Sequence, residues 1–362
     1  MSSTREQLQE QVLERIERDR KRRPKFMDDQ ITMAHGAGGK ASRQLVEGLF
    51  VPKFANPALA ELDDAAVLEV EGARLAFTTD SFVVKPILFP GGSIGELAVN
   101  GTVNDLAVSG ARPLAISSGF ILEEGVGADV VKREINAMAR ASAAVGVPIV
   151  TGDTKVVERG KCDEMYVNTT GIGRIVVDEP LLVGRTRPGD KILISGYVGD
   201  HGVAIMITRG ELELDAEVES DTRPVWDIAE TLIRVAGDGL RCMRDPTRGG
   251  VATVLNEIAM TANVGIVVAE ERVPVRPEVN GACEILGIDP LYVANEGKVV
   301  AVVGPDVADA ALEAVRQLPG CEKAALVGEA RAEPPGRVLC RTGFGGHRMI
   351  DLLVGDPLPR IC

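Results

Sequence analysis

The chain ends Asp356-Pro357-Leu358-Pro359-Arg360-Ile361-Cys362, and its last cysteine is the first candidate for chemistry. A thiol on a short extended segment is tethered on one side only and can sweep roughly 20 Å at about 3 Å per residue. Two prolines stiffen the approach and Arg360 supplies a charge. Such a segment suits a swinging arm that carries a covalently held group to a fixed site, although a frayed, inert tail has the same composition.

A fixed site is indicated by carboxylates in small-residue surroundings: Asp63-Asp64-Ala65-Ala66, Thr79-Asp80, Asn104-Asp105, Gly152-Asp153 and Arg244-Asp245-Pro246-Thr247-Arg248-Gly249-Gly250. Mg²⁺ takes one or two carboxylates and completes its shell with water and phosphate oxygens, so several aspartates around one cavity suit a magnesium nucleotide. The stretch His35-Gly36-Ala37-Gly38-Gly39-Lys40-Ala41-Ser42 fails as a P-loop, because the positions that need Gly and Ser or Thr hold Ala34 and Ala41. What remains is a glycine loop whose bare N–H groups can wrap a polyphosphate. Taken alone, His35 reads as a structural histidine. Lys155 and Glu296 each follow a turn and precede an apolar run, so each can project from a strand end into a cleft. A desolvated Lys and Glu pair can move protons. Solvated turns and surface charges account for any one of these segments, less readily for the set.

The elements that must position these groups follow a mixed α/β rhythm. Arg74 to Asp80 reads as a strand delivering a carboxylate, and Ser93-Ile94-Gly95-Glu96 has the form of a capping box, predicting a helix from Ile94 to about Ser109. A second helix is predicted over Asp129–Val145, a short buried strand over 148–155, and another over Tyr166–Val177. Thr186-Arg187-Pro188-Gly189-Asp190 marks the boundary, placed near 178–188. Beyond it, helices are predicted near 201–209, 224–237, 250–262 and 307–318, with strands near 191–195, 265–269, 298–303, 323–327 and 337–341. Residues 1–23 read as a charged helix with a narrow apolar stripe and a basic end.

At 362 residues the chain has room for two domains, and its apolar and charged fractions of 45% and 26% are those of a soluble protein. A net charge of −13 argues against binding nucleic acid or an anionic membrane. The opening residues lack a secretory signal, so a cytoplasmic location is expected. Six cysteines without a C-x-x-C pair, and three scattered histidines, indicate neither a zinc cluster nor a disulfide framework.

From about Ile31 onward these motifs together resemble the HypE family of hydrogenase maturation proteins. That family lies in the superfamily of aminoimidazole ribonucleotide synthetase, selenophosphate synthetase and thiamine monophosphate kinase. The segments that carry the resemblance are His35–Gly39, Asp64–Val67, Thr79-Asp80, Gly101–Ala107, Thr151–Val157, Asp245 in its Pro-Thr-Arg-Gly-Gly context, Ala294–Lys298 and Pro359–Cys362. The resemblance implies an α/β (α+β) fold in which an N-terminal sheet domain pairs into a dimeric barrel-like core, followed by a C-terminal α/β domain and a flexible tail. The corresponding divisions are an N-terminal extension over 1–30, an ATP-binding and dimerisation domain over 31–180, a C-terminal domain over 181–355, and a mobile tail over 356–362.

It further implies ATP and Mg²⁺ as cofactors, with Asp64, Asp80, Asp105 and Asp245 holding the metal. Asn104, Gly36, Gly38 and Gly39 would surround the phosphates. Cys362 would receive a carbamoyl group from a HypF-type carbamoyltransferase, and ATP-dependent dehydration to a thiocyanate would follow, with Glu296 and Lys155 moving protons. The cyano group would pass toward the iron of a nickel-iron hydrogenase through a HypC–HypD scaffold. The remaining alternatives are a selenophosphate-synthetase-like kinase and a noncatalytic thiol carrier.

Overall fold

Short apolar runs separated by turns fold into two sheets, and nearly every candidate group lies at or near the seam between them. The computed structural model describes residues 25–54, 56, 58–59, 62–210, 217–355, 358 and 360–362. The helix expected over 1–23 and the residues Asp356, Pro357 and Pro359 lie outside the described residues.

The first sheet contains β1 (Ala66–Val70), β2 (Ala73–Phe82), β5 (Ala111–Glu123), β6 (Ile149–Val157) and β7 (Met165–Ile175), in the order β1-β2-β7-β5-β6. A two-stranded ribbon, β3 (Leu88–Phe89) with β4 (Gly92–Ser93), lies outside it. Two short N-terminal helices, α1 (Lys40–Leu45) and α2 (Val51–Phe54), precede the sheet. The helices α3 (Ile94–Val108) and α4 (Ala128–Val145) follow in the chain. Within this sheet only the β5–β6 pair is parallel, and α4 is the crossover that parallel pairing requires.

One face of the sheet packs against α3. Along β7, Met165, Val167, Thr169 and Gly171 are buried while the residues between them are more open. Gly171 is needed there, since a Cβ would sit 2.7 Å from the Thr102 side chain and 2.9 Å from that of Leu106. Leu97 and Leu106 are fully buried on α3, each worth about 1.5–3 kcal/mol. Helix α3 is buried on nearly all sides because the second domain covers what the sheet does not.

The second sheet has seven strands, ordered β14-β13-β10-β12-β8-β11-β9. Their spans are β8 Lys191–Ile194, β9 Leu240–Arg244, β10 Gly265–Ala269, β11 Val300–Val303, β12 Ala325–Arg331, β13 Arg337–Arg341 and β14 His347–Ile350. Both faces are covered, so central strands read as unbroken apolar runs. Ile192 and Ile194 pack with α7 (Gly250–Ala262), whereas Leu193 packs with α6 (Trp226–Ala236) and α9 (Ala308–Arg316). Two further helices, α5 (Asp200–Thr208) and α8 (Pro277–Leu286), leave this sheet and join the N-terminal core around Phe82, Ile94 and Leu97. Among the described residues no helix is long and apolar enough to cross a membrane.

Three local expectations need correction. Ser93 makes no capping hydrogen bond, and Glu96 instead pairs with Arg140 at 3.3 Å. Strand β6, read as buried, is an exposed edge strand, because its short apolar run faces outward at the end of the sheet. Strands β1, β3, β4, β5, β9 and β14 and helices α1, α2 and α8 were not anticipated.

Candidate active site

Strand β2, helix α3, the segment before β1 and the turn after β9 supply the carboxylates. Strand β2 delivers Asp80, and the neighbouring Thr78 hydroxyl lies 2.9 Å from the Asp64 carbonyl and 2.7 Å from the Asp105 carboxylate on α3. Arg244 ends β9 and divides its guanidinium between Asp63 at 2.7 Å and Asp64 at 2.6 Å. Arg244 is buried, and removing one partner of such a group costs about 3–5 kcal/mol. The chain then turns sharply through Asp245-Pro246-Thr247-Arg248-Gly249-Gly250. Gly249 and Gly250 have φ of +74° and +60°, and a Cβ on Gly250 would lie 2.5 Å from the Leu291 carbonyl oxygen. That turn brings the Arg248 guanidinium to 4.0 Å from Asp80.

This crowding of like charge raises proton affinity. Burial, then Asp245, Asp80 and Asp64, hold the Asp105 carboxyl well above the usual carboxylate range. Burial also raises Asp80, against the opposing effect of Arg248. Asp245 is pushed from 3.8 up to about 8, first by burial and then by Asp64. Between these two values the folded chain holds a proton at Asp245 that the unfolded chain releases, so stability falls as pH rises through the window. Asp245→Asn abolishes that contribution. Its melting temperature is expected to decline less than the wild type's between about pH 5 and about pH 8, as read by scanning calorimetry; an equally steep decline would refute the assignment.

Glu296 is buried on the loop before β11, and its Oε1 has no hydrogen-bond partner among the described residues. Burial first, then Asp80, Asp245 and Asp221, raise it well above an ordinary glutamate, with Arg248 opposing. Its backbone N–H donates to Asp221 at 2.9 Å, and Lys298 pairs with the same carboxylate at 2.9 Å. Asn104, expected beside phosphates, is instead committed to this loop. Its amide nitrogen donates to the carbonyls of Arg223 at 3.0 Å and Glu296 at 3.2 Å, and its oxygen accepts from the Val225 N–H at 2.9 Å. Asn104 therefore positions Glu296.

The tail is docked in the molecule. Leu358 and Ile361 are buried in the N-terminal core, and Cys362 packs against it. Cys362 borders a cavity of about 150 Å³ with Gly36, Ser81, Arg248 and Gly249. Burial raises its thiol, Arg248 lowers it, and Glu296, Asp80 and Asp245 raise it further. The structure thus brings Cys362 into the field of Glu296, Arg248 and two of the carboxylates.

Other expected groups are placed differently. The glycines around position 38 serve close packing: a Cβ on Gly38 would lie 2.7 Å from the Arg248 carbonyl oxygen, and one on Gly39 2.6 Å from that of Leu353. The Gly38 N–H is already taken by the Ser42 hydroxyl at 3.0 Å, whereas Gly36 opens onto the Cys362 cavity. His35 is held by Thr32 at 3.0 Å and Asp28 at 3.0 Å, a structural role. No three His, Cys, Asp or Glu side chains among the described residues converge into a metal site. The four aspartates share a field without forming a closed ligand set.

Lys155 does not reach the cleft of its own chain. It is exposed on β6 and pairs with Asp153 at 2.7 Å. The register Ser81–Asn168–Gly119–Asp153 crosses three strand spacings, roughly 14 Å. Asp221, Arg244 and Arg248 were missed as site residues. Arg244 and Arg248 flank the Asp245 motif, but nothing near Asp221 in the sequence marks it out.

Family models of the AIR synthase related proteins match in two blocks, the N-terminal domain at residues 62–175 and the C-terminal domain at 187–341. The carbamoyl dehydratase HypE of Rhodobacter capsulatus is 52% identical over 338 residues, spanning 92% of this chain and 99% of that protein. A crystal structure of the hydrogenase maturation protein HypE in complex with ATP is similar at 48% identity and a TM-score of 0.77, over 92% of this chain and 100% of that one. A HypE–HypF complex contains a chain similar at 44% identity and a TM-score of 0.81, over 85% of this chain and 99% of that one.

Proposed function

The chain belongs to the HypE family, and from that premise we propose that it is an ATP-dependent carbamoyl dehydratase acting on a group carried by its own Cys362. The observation that carries this reading is the docked tail, which sets Cys362 beside Arg248 and within the field of the buried Glu296. The reaction converts S–C(=O)NH₂ to S–C≡N. ATP supplies the phosphoryl group that turns the carbamoyl oxygen into a leaving group, and phosphate departs as two N–H protons are removed. Glu296 takes protons when ionised, and Arg248 offsets negative charge on the departing oxygen.

The relative solved with ATP supports nucleotide binding in this family. Asp80, Asp105 and Asp245 fit a magnesium ion brought by the nucleotide, because Mg²⁺ needs only one or two carboxylates when phosphates and water complete its shell. A cation among them would also relieve the repulsion that raises their proton affinity.

Docking raises the Cys362 thiol, which disfavours the thiolate needed to capture a carbamoyl carbon. The neutral thiocarbamate enters the same pocket without that penalty. Loading therefore belongs to the undocked tail and dehydration to the docked one. The HypE–HypF complex supports a HypF-type donor for the first step; a HypC–HypD scaffold as acceptor completes the sequence toward a hydrogenase iron. The six cysteines are free, as a reducing cytoplasm requires.

A homodimer supplies the missing lysine. Phe77, Ile121 and Lys155 share the sheet face turned away from α3, and Phe77 and Ile121 are 45% and 42% exposed. A second copy set face to face covers these residues and brings its Lys155 toward the cavity.

Intact-mass measurement of the tail peptide tests the reading. Cys362 is expected to gain one carbamoyl group from a donor system and then lose the mass of one water only when MgATP is present. A carbamoyl adduct that MgATP leaves unchanged would sink it.

A further inference from the structure

Beyond the reacting groups, the docked tail has a feature that the proposed chemistry does not use. Its last residues run alongside Val83–Lys85: the Val83 N–H donates to a backbone carboxylate oxygen of Cys362 at 3.1 Å and the Lys85 N–H to the Arg360 carbonyl at 3.4 Å. Arg360 adopts a left-handed φ of +54°, and the Ile361 carbonyl faces away from Val83–Lys85, where it meets the imidazole of His201 at 2.8 Å.

A carbonyl only accepts, so Nε2 of His201 carries the proton, and Nδ1 accepts from the Ser220 hydroxyl at 2.7 Å. Burial lowers the imidazole's proton affinity. Phe89 packs edge-on against it with ring centres 5.6 Å apart. Ser220 is covalently next to Asp221, the residue that accepts the Glu296 N–H at 2.9 Å. A single short segment thus touches the ring that holds the tail and the loop that seats the candidate base.

We propose that His201 is a positioning residue that pins the docked tail at the Ile361 carbonyl and links its seating to the Glu296 loop through the Ser220–Asp221 segment. Besides the backbone contacts to Val83 and Lys85, two side-chain anchors hold the segment: the Arg360 guanidinium, which donates to the Val83 carbonyl at 3.0 Å and pairs with Asp163, and the His201 ring at Ile361. The catalytic consequence of this role rests on the dehydratase reading; the docking consequence does not.

Time-resolved alkylation of the full-length protein, read by peptide mass, separates the two. In His201→Ala the Cys362 thiol is expected to be labelled about tenfold faster than in the wild type, the loss of roughly one hydrogen bond, while Cys242 in the second domain stays protected. His201→Gln, whose amide can still donate to the Ile361 carbonyl, is expected to restore protection. An unchanged Cys362 rate in a folded His201→Ala protein overturns the proposal, as does a failure of glutamine to rescue. If Cys242 also becomes reactive, the alanine variant has unfolded and Ser220→Ala decides: faster labelling of Cys362 supports the role, and an unchanged rate overturns it. With a preloaded carbamoyl tail, His201→Ala is further expected to dehydrate about tenfold more slowly at unchanged ATP affinity; an undiminished rate overturns the coupling to Glu296. Absence of dehydration in the wild type would count against the dehydratase reading and leave the alkylation result to decide the role of His201.

Discussion

Cys362→Ala is expected to lose carbamoyl loading and thiocyanate formation completely while retaining its fold and its affinity for ATP. The side chain borders a cavity, so truncation removes few contacts and costs on the order of 1 kcal/mol. None of the carboxylates and neither arginine hydrogen-bonds to its sulfur, and the tail remains anchored by Ile361 and by the backbone contacts to Val83 and Lys85. The other five cysteines cannot substitute. All are buried, and burial raises Cys242 to about 12 and Cys283 and Cys340 to about 11, so thiolate is scarce at each. Radiolabelled carbamoyl incorporation and nucleotide titration check both halves of the expectation. A carbamoyl adduct on any other cysteine of the alanine variant would refute the role of Cys362.

Glu296→Gln and Lys155→Ala are each expected to load the carbamoyl group normally and to slow its dehydration by about 10²–10⁴-fold, the usual range for removing a positioned proton-transfer group. Glutamine preserves the shape of a side chain whose carboxyl is held by burial well above the usual carboxylate range, so the fold should hold. The informative measurement mixes the two variants. If the lysine comes from the partner copy, half of the randomly paired dimers are hybrids. Each hybrid has one intact site, giving about a quarter of wild-type activity. Recovery to that level after subunit exchange supports a shared site, and no recovery despite exchange would refute a lysine supplied by the partner copy; a Lys155→Ala variant of undiminished rate would place Lys155 outside the reaction.

Much of this arrangement was legible because the residues that delimit it have local causes. The helix carrying Asn104 and Asp105 could be bounded to within a residue or two by its glycine and proline punctuation, and α7 and β10 by their apolar runs. Strand β5 was not legible: Pro113 and Ser117-Ser118-Gly119 weaken its pattern, and its register shifts between Pro113 and Ala115, where the proline costs no ladder bond. Lys155 was placed on the right element but in the wrong surroundings, since burial on a sheet edge depends on what lies beyond the edge. Asn104 shows the converse. Its sequence context suggests a ligand, yet its amide is spent on carbonyls 119 and 192 positions away. His201 had no local signal, because its partner lies 160 residues further on.

The docked tail also alters how such a protein must be counted. A group bound to Cys362 meets its site at an effective concentration on the order of millimolar, set by the tether and independent of how much protein is present. The dehydration step then has no Michaelis constant for the carbamoyl group and is first order in loaded protein. Each molecule processes one group per visit from its donor, so output is limited by handovers, and raising the amount of protein without raising the supply of donor only enlarges the pool of empty tails.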